Sequence, residues 1–173
     1  MESYVVIVLV FGALVCFILA VLFFVNRLFL YRSRVEGSFE AVRTCLGERK
    51  ELFQTMKVFI QNHLEHEEIF DKKIGEIEPL FLERISCVEG IELLKKSDRL
   101  FKEIQKLVNV YPEMKKNREF SKFLEAYSLN QDRVEYAMDS YDKGVRDYNQ
   151  YQDNRFMKFL AKLFHFPEYP YYN

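Results

Sequence analysis

The 173-residue chain carries 25 Lys+Arg against 26 Asp+Glu, a formal net charge of −1. That balance supplies no basic field for nucleic acid. Six glycines and four prolines punctuate it too rarely for a β-rich fold, and 17 Phe with no Trp point to a core built largely from phenylalanine. The length holds one membrane segment and one modest domain.

Residues 4–25, "YVVIVLVFGALVCFILAVLFFV", contain no charge. At about 1.5 Å per residue they span a hydrocarbon core of roughly 30 Å. A cleaved signal peptide fits poorly: only Glu2 precedes the apolar run, so a basic leader is missing, and no small-x-small site follows. We therefore expect an uncleaved transmembrane helix over 4–25, with 1–3 a short extracytoplasmic N-terminus. Arg27, Arg32 and Arg34 follow the run and no Lys or Arg precedes it, which places the rest of the chain in the cytoplasm. Gly12, Cys16 and Ala20 recur every fourth residue, a small-residue face of the kind that packs against another span. Cys45 and Cys87 match no metal or redox spacing and read as reduced thiols on helices.

From Val35 a heptad begins: Val35, Phe39, Val42, Leu46, Arg49, Phe53, Met56, Ile60, His63, Glu67, Phe70, Ile74 and Ile77 alternate steps of four and three. No breaker lies between Val25 and Val35, so this helix extends the anchor directly; Pro79 is expected to end it. Arg49, His63 and Glu67 fall on the seam, where polar residues fix register. The stretch 79–96 is less regular, with Pro79 in its first turn and Gly90 as an interruption. Ser97 is placed as an N-cap before the stripe Leu100, Phe101, Ile104, Leu107 and Val108, and Pro112 stops that helix. Asn117 then caps a second clean heptad: Phe120, Leu124, Tyr127, Gln131, Val134, Met138, Tyr141, Val145, Tyr148 and Gln152. "RFMKFLAKLFHF" (155–166) is short, aromatic and basic, and 167–173 form an extended tail.

These elements predict an all-α protein: a transmembrane helix, then a cytoplasmic antiparallel up-down-up bundle over 26–166 with a short C-terminal fourth element. In that arrangement the helices from Val35 and Asn117 run parallel, and Arg49 faces Gln131, each fourteen residues along. The segment 155–166 has the composition of an interfacial membrane helix, with Phe156, Phe159, Leu160, Leu163 and Phe164 against Lys158 and Lys162. The up-down-up order nevertheless puts it at the distal end, about 50 Å from the anchor, as a cap on the bundle.

"ERKELFQTMKVFIQNHLEHEE", "VYPEMKKNREF" and "SYDKGVRDYNQYQDN", in that order behind one N-terminal span, resemble the LemA family of bacterial membrane-anchored helical proteins. The likeness covers most of 26–166. Arg49 and Leu52 match its Arg-x-x-Leu signature, His66 and Glu67 its His-Glu pair, Tyr111, Pro112, Lys115 and Asn117 its interhelical turn, and Tyr148 and Asn149 its final Tyr-Asn. The chain departs from the family at Asp142, which follows Tyr141 where Asn is usual. It departs again at Gln131, where an acid is usual, at Met138 in place of an arginine, and at "RFMKF" in place of a Phe-Pro. The resemblance implies a helical bundle in the bacterial inner membrane without an established activity, in a family associated with membrane shaping or found near membrane proteases. It also implies that Arg49 ordinarily pairs with the acid that Gln131 replaces.

The chemical alternative rests on "FIQNHLEHEE" (59–68), where His63 neighbours both His66 and Glu67 on a helix. A di-metal carboxylate bundle needs Glu-x-x-His on facing helices, but residue 60 is Ile and the third helix has no histidine. His-Glu-x-x-His is absent too. Tyr127, Tyr141 and Tyr148 share a face with Val134 and Val145 and read as core. No glycine-rich phosphate loop and no nucleophile-base order presents itself. The expectation is a membrane-anchored scaffold or protein-interaction module with no catalysis, cofactor, metal, nucleic acid or small-molecule substrate, whose partner is another protein or a second copy. An adaptor or regulatory subunit of a membrane protease or signalling complex is the alternative, and a metal-dependent enzyme using His63, His66 and Glu67 the weaker one.

Overall fold

The computed structural model describes residues 1–63, 68–77, 81 and 85–172. Among these, almost everything is helical and nothing is a strand: α1 (Glu2–His63), α2 (Glu68–Ile77), α3 (Cys87–Val110), α4 (Arg118–Gln152) and α5 (Arg155–Leu163), with a 3-10 turn at Pro112–Lys116. α1 has 62 residues, about 93 Å at the usual rise. No neighbour covers its residues 3–20, and it is the one described helix long and apolar enough to cross a membrane. The same helix continues without a break into the bundle, where Val35, Phe39, Val42, Leu46, Arg49, Phe53, Met56 and Ile60 are buried.

α4 faces this stripe with Phe120, Tyr127, Val134, Met138, Tyr141, Val145 and Tyr148, all buried. It starts cleanly because the Asn117 side chain accepts hydrogen bonds from the backbone N–H of Glu119 (2.8 Å) and Phe120 (3.4 Å). Ring contacts give the direction of packing. Phe59 meets Phe120, Phe53 meets Tyr127, Phe39 meets Tyr141 and Tyr31 meets Tyr151, at centroid separations of 6.1, 5.8, 5.4 and 4.9 Å. Each step forward along α1 is a step back along α4, so the two helices are antiparallel. Burying each Phe is worth about 1.5–3 kcal/mol, and every ring pair therefore holds this direction.

α3 rises beside them. The Arg43 guanidinium donates to the Ile85 carbonyl at 3.1 Å, Gly90 lies against Phe39, Ser97 meets Arg49, and Phe101 stacks on Tyr127 at 3.6 Å. Along α3 itself, Gly90 meets Phe39, Ser97 meets Arg49, and Phe101 shares Tyr127 with Phe53, so α3 runs parallel to α1. α2 packs on both α1 and α3, and Lys73 forms an ion pair with Glu103. It lies beside the distal part of α1 and does not prolong it.

The up-down-up arrangement is thus corrected. The chain goes out along α1, comes back before Ile85, goes out along α3 and returns along α4. α3, expected within the return leg over 79–110, instead runs parallel to α1, and α4 is the long helix that returns along it. Gly90 does not interrupt α3, and Ser97 is not a cap: it sits inside the helix, its hydroxyl donating to the Leu94 carbonyl at 2.8 Å. The placement of 155–166 at the distal end is reversed as well. The Asn154 side chain caps α5, the Phe156 ring packs on Phe24 (6.1 Å) and Phe166 on Phe29 (4.8 Å), so α5 stands at the end of the apolar run.

The tail then climbs back over the bundle. The Tyr148 hydroxyl donates to the Pro167 carbonyl (2.8 Å) and Tyr141 to that of Pro170 (2.9 Å). The Tyr169 hydroxyl reaches Glu36 (2.8 Å), and the Tyr172 N–H donates to the Asp142 carboxylate (2.9 Å). Asp142, which departs from the family's asparagine, thus holds the chain end as an acceptor.

Candidate functional site

The helices bring their polar groups together at one level. Arg49 is fully buried, at mid-length of the α1–α4 contact. Its Nε donates to Asn130 Oδ1 (2.7 Å), its Nη1 to both Ser97 Oγ (2.7 Å) and Asp98 Oδ1 (2.7 Å), and its Nη2 to Gln131 Oε1. Three helices therefore converge on one guanidinium, whose planar fork of five N–H groups suits such a junction. The Tyr127 ring lies 4.9 Å from the guanidinium carbon on one side and against Phe101 on the other, and its hydroxyl donates to Asp98 at 3.0 Å. Burial, with Asp98 beside it, pushes the Tyr127 hydroxyl well above the usual tyrosine range.

Asn130 ties this cluster to α1 a second time, its Nδ2 donating to the Cys45 carbonyl (2.9 Å) and to Glu48 (3.0 Å). Glu48 also accepts from Arg133 at 2.7 Å. Of the carboxylates, Asp98 keeps a quarter of its side chain exposed. It borders a groove of about 380 Å3 together with Phe101, Lys102, Gln105, Leu124, Tyr127, Ser128 and Gln131. The cluster can hold charge and fix alignment. Two of the three cysteines, Cys45 and Cys87, are buried, and burial raises their thiols, which keeps them protonated and poor nucleophiles.

Arg49 and Gln131 meet here. Asp98 carries no sequence signal, Ser97 has the look of a cap, and Asn130 lies one position off the α4 seam. Their signal is retrospective, since a charge buried on one helix requires acceptors on the others. His63 is the last residue of α1, and His66 and Glu67 lie outside the described residues. Among the described residues no three His, Cys, Asp or Glu side chains are grouped to hold a metal. Tyr111, Pro112, Lys115 and Asn117 form the turn between α3 and α4 at the distal end. Tyr148 and Asn149 serve the tail, Asn149 donating to the Tyr171 hydroxyl at 3.1 Å. Gly12, Cys16 and Ala20 are exposed on the uncovered part of α1.

No curated protein matches the chain. A family model does: that of the LemA family, over residues 38–173, which takes in the distal part of α1, the Arg49 cluster, the turn and the tail. A match over most of the chain, including the arginine on which three helices converge, makes this protein a member of the LemA family.

Proposed function

We propose that the chain is a scaffold or protein-interaction module without catalytic activity of its own, anchored in a bacterial inner membrane and acting in membrane organisation. Its N-terminus faces out and its bundle stands in the cytoplasm, as the arginines at 27, 32 and 34 favour. The observation that carries the reading is the enclosure of Arg49. An enzyme presents its charged groups in a pocket, whereas this guanidinium is fully buried and spends its donors on Asn130, Ser97, Asp98 and Gln131. The adaptor reading draws on a second feature. A groove of about 560 Å3 at the distal end is lined by Leu52, Met56, Val58, Phe59 and Phe123 among others, and Val58 is more than half exposed.

Crosslinking in native membranes through a photoreactive residue at Val58, followed by mass spectrometry, tests both. A scaffold gives defined protein adducts that weaken when Arg49→Met destabilises the bundle, and an adaptor gives adducts dominated by one protease or signalling protein. Absence of any protein adduct would sink the interaction reading. For orientation, a phosphatase active only outside the cytoplasm, fused after Asn173, is expected to stay inactive; high activity would reverse the topology.

A further inference from the structure

α5 divides its surface in three. Met157, Leu160 and Ala161 are buried, and α5 packs on both α1 and α4. Phe156, Phe159 and Leu163, at steps of three and four, are 38, 60 and 57 % exposed, and Phe164 just beyond is 47 % exposed. Arg155, Lys158 and Lys162, at the same steps, form the third side, and residues 155–166 hold no acid. Lys158 is paired with Asp153 at 3.1 Å, with both side chains largely exposed, and so adds little to folding stability.

The height of α5 decides what covers its aromatic side. Phe156 packs on Phe24, Val25 is buried although it belongs to the apolar run, and the chain leaves α5 beside Phe29. Five residues of helix rise about 7.5 Å, so the whole of α5 stands within one or two turns of the end of the span. Arg27, exposed on α1, shares that level, and Arg34, also exposed, lies about two turns further on. An amphipathic helix of this make-up, rich in Phe and Leu on one side and Lys and Arg on another, is the kind that beds at the headgroup–acyl boundary.

We propose that α5 is an interfacial helix of the same membrane that α1 crosses. Its exposed Phe156, Phe159 and Leu163 enter the acyl boundary, and Arg155, Lys158 and Lys162 meet the phosphates of anionic lipids. The inference rests on α1 spanning the bilayer and deepens the proposed role: the bundle is held at two points, so its stance on the membrane is fixed by the protein.

The chain has no Trp, so a single Trp is a clean reporter. Full-length Phe159→Trp, Leu14→Trp and Tyr136→Trp are reconstituted in vesicles of phosphatidylcholine and phosphatidylglycerol carrying brominated acyl chains. Leu14 sits in the span, and Tyr136 is 81 % exposed on α4. Phe159→Trp is expected to emit to the blue of Tyr136→Trp and to lose about half its emission to lipids brominated near the headgroup, as an interfacial side chain does. Leu14→Trp loses its emission to deeply brominated lipids. Lys158→Glu with Lys162→Glu weakens the quenching at residue 159. Two results overturn the proposal: Phe159→Trp as unquenched as Tyr136→Trp while Leu14→Trp is quenched, or a blue shift at 159 that fades as protein is diluted in lipid, which identifies a second copy as the cover. If Leu14→Trp is unquenched as well, the anchor reading falls together with this one.

Discussion

The waist and the foot of the bundle hold the same helices together by different means. At the waist, one guanidinium of α1 is shared among side chains of α3 and α4 at 2.7 Å. At the foot, Phe24, Phe156, Phe29 and Phe166 meet ring to ring, and the tyrosines of α4 hold backbone carbonyls of the tail. Hydrogen bonds are directional and costly to leave unmade, so the waist specifies which residue faces which. Apolar contact is non-directional, so the rings of the foot specify only that surfaces meet, and the seating of the tail falls to the hydrogen bonds of Tyr141, Tyr148, Asn149 and Tyr169 and of the Tyr172 N–H with Asp142. The waist therefore sets register and the foot sets closure.

That contrast breaks hardest at Arg49. Arg49→Met leaves Asn130, Ser97 and Gln131 without their donor and Asp98 without its counter-charge. Removing one partner of a buried pair costs about 3–5 kcal/mol. Denaturant unfolding of the full chain in detergent, followed by helical circular dichroism, should show this loss. Arg49→Lys should recover little, because an ammonium cannot reproduce the fork. A loss below about 1 kcal/mol, the worth of an ordinary hydrogen bond, would mean that the waist is ornamental and packing alone sets register.

The sequence shows why the Arg49–Gln131 contact could be reached from a wrong topology. A heptad identifies a buried stripe but has no direction, so the stripes of α1 and α4 were legible and their relative sense was not. Reversing a helix leaves its crossing level in place. Arg49 and Gln131 sit where the parallel register drawn from Val35 and Asn117 and the antiparallel register of the ring pairs coincide. Away from that level the two registers diverge: Phe39 meets Tyr141, far from where a parallel pairing would put it. The difference arises in the middle of the chain. Gly90 and Ser97 looked like helix punctuation, whereas both are packing residues: Gly90 makes room for Phe39, and Ser97 supplies an acceptor for Arg49. α5 was legible as a basic aromatic amphipath, but its position depended wholly on the direction of α4.

Alkali should act on waist and foot together. Burial is the main reason that the hydroxyls of Tyr127 at the waist and Tyr141 under the tail are raised above the usual range. A raised folded pKa means stability that is full below the unfolded tyrosine value near 10 and is lost as pH climbs through the folded one. Each such tyrosine costs about 1.4 kcal/mol per pH unit in that window. Denaturation midpoints measured above pH 10 should fall, and Tyr127→Phe or Tyr141→Phe should each remove part of the slope. Unchanged slopes in both variants would show that neither hydroxyl is shielded as described.

Between waist and foot, two glycines separate tight packing from loose. A Cβ on Gly90 would lie 2.5 Å from Phe39 Cζ, a ring that is fully buried against Tyr141. Overpacking costs about 1–3 kcal/mol, offset by about 1 kcal/mol of helix propensity, so Gly90→Ala is expected to destabilise. At Gly144 the nearest atom would be Ser38 Oγ at 3.4 Å, an ordinary contact. Gly144→Ala should therefore keep most of the propensity gain. The two melting temperatures should move in opposite directions, and a shift of both the same way would mean that Phe39 yields more easily than its enclosure implies.

The smallest effect is expected at the foot, where α5 ends. His165 adopts φ 54°, the left-handed conformation that closes a helix. Its N–H donates to the Lys162 carbonyl at 3.3 Å, and the next N–H, of Phe166, donates to Ala161 at 2.9 Å. This paired motif usually employs glycine, because a Cβ in the left-handed region costs about 1–2 kcal/mol. Here the strain is tolerated, and the turn it makes carries Phe166 onto Phe29 and starts the tail toward Tyr148. His165→Gly removes the strain but adds freedom to the unfolded chain, so a net gain of about 0.5–1 kcal/mol is expected, read as a rise of roughly 1–4 °C in melting temperature. The waist is untouched by this change, so the alkaline slope contributed by Tyr127 should stay as it was. A fall in melting temperature would mean that the His165 side chain itself braces the foot, and that closure there depends on a polar contact as the waist does.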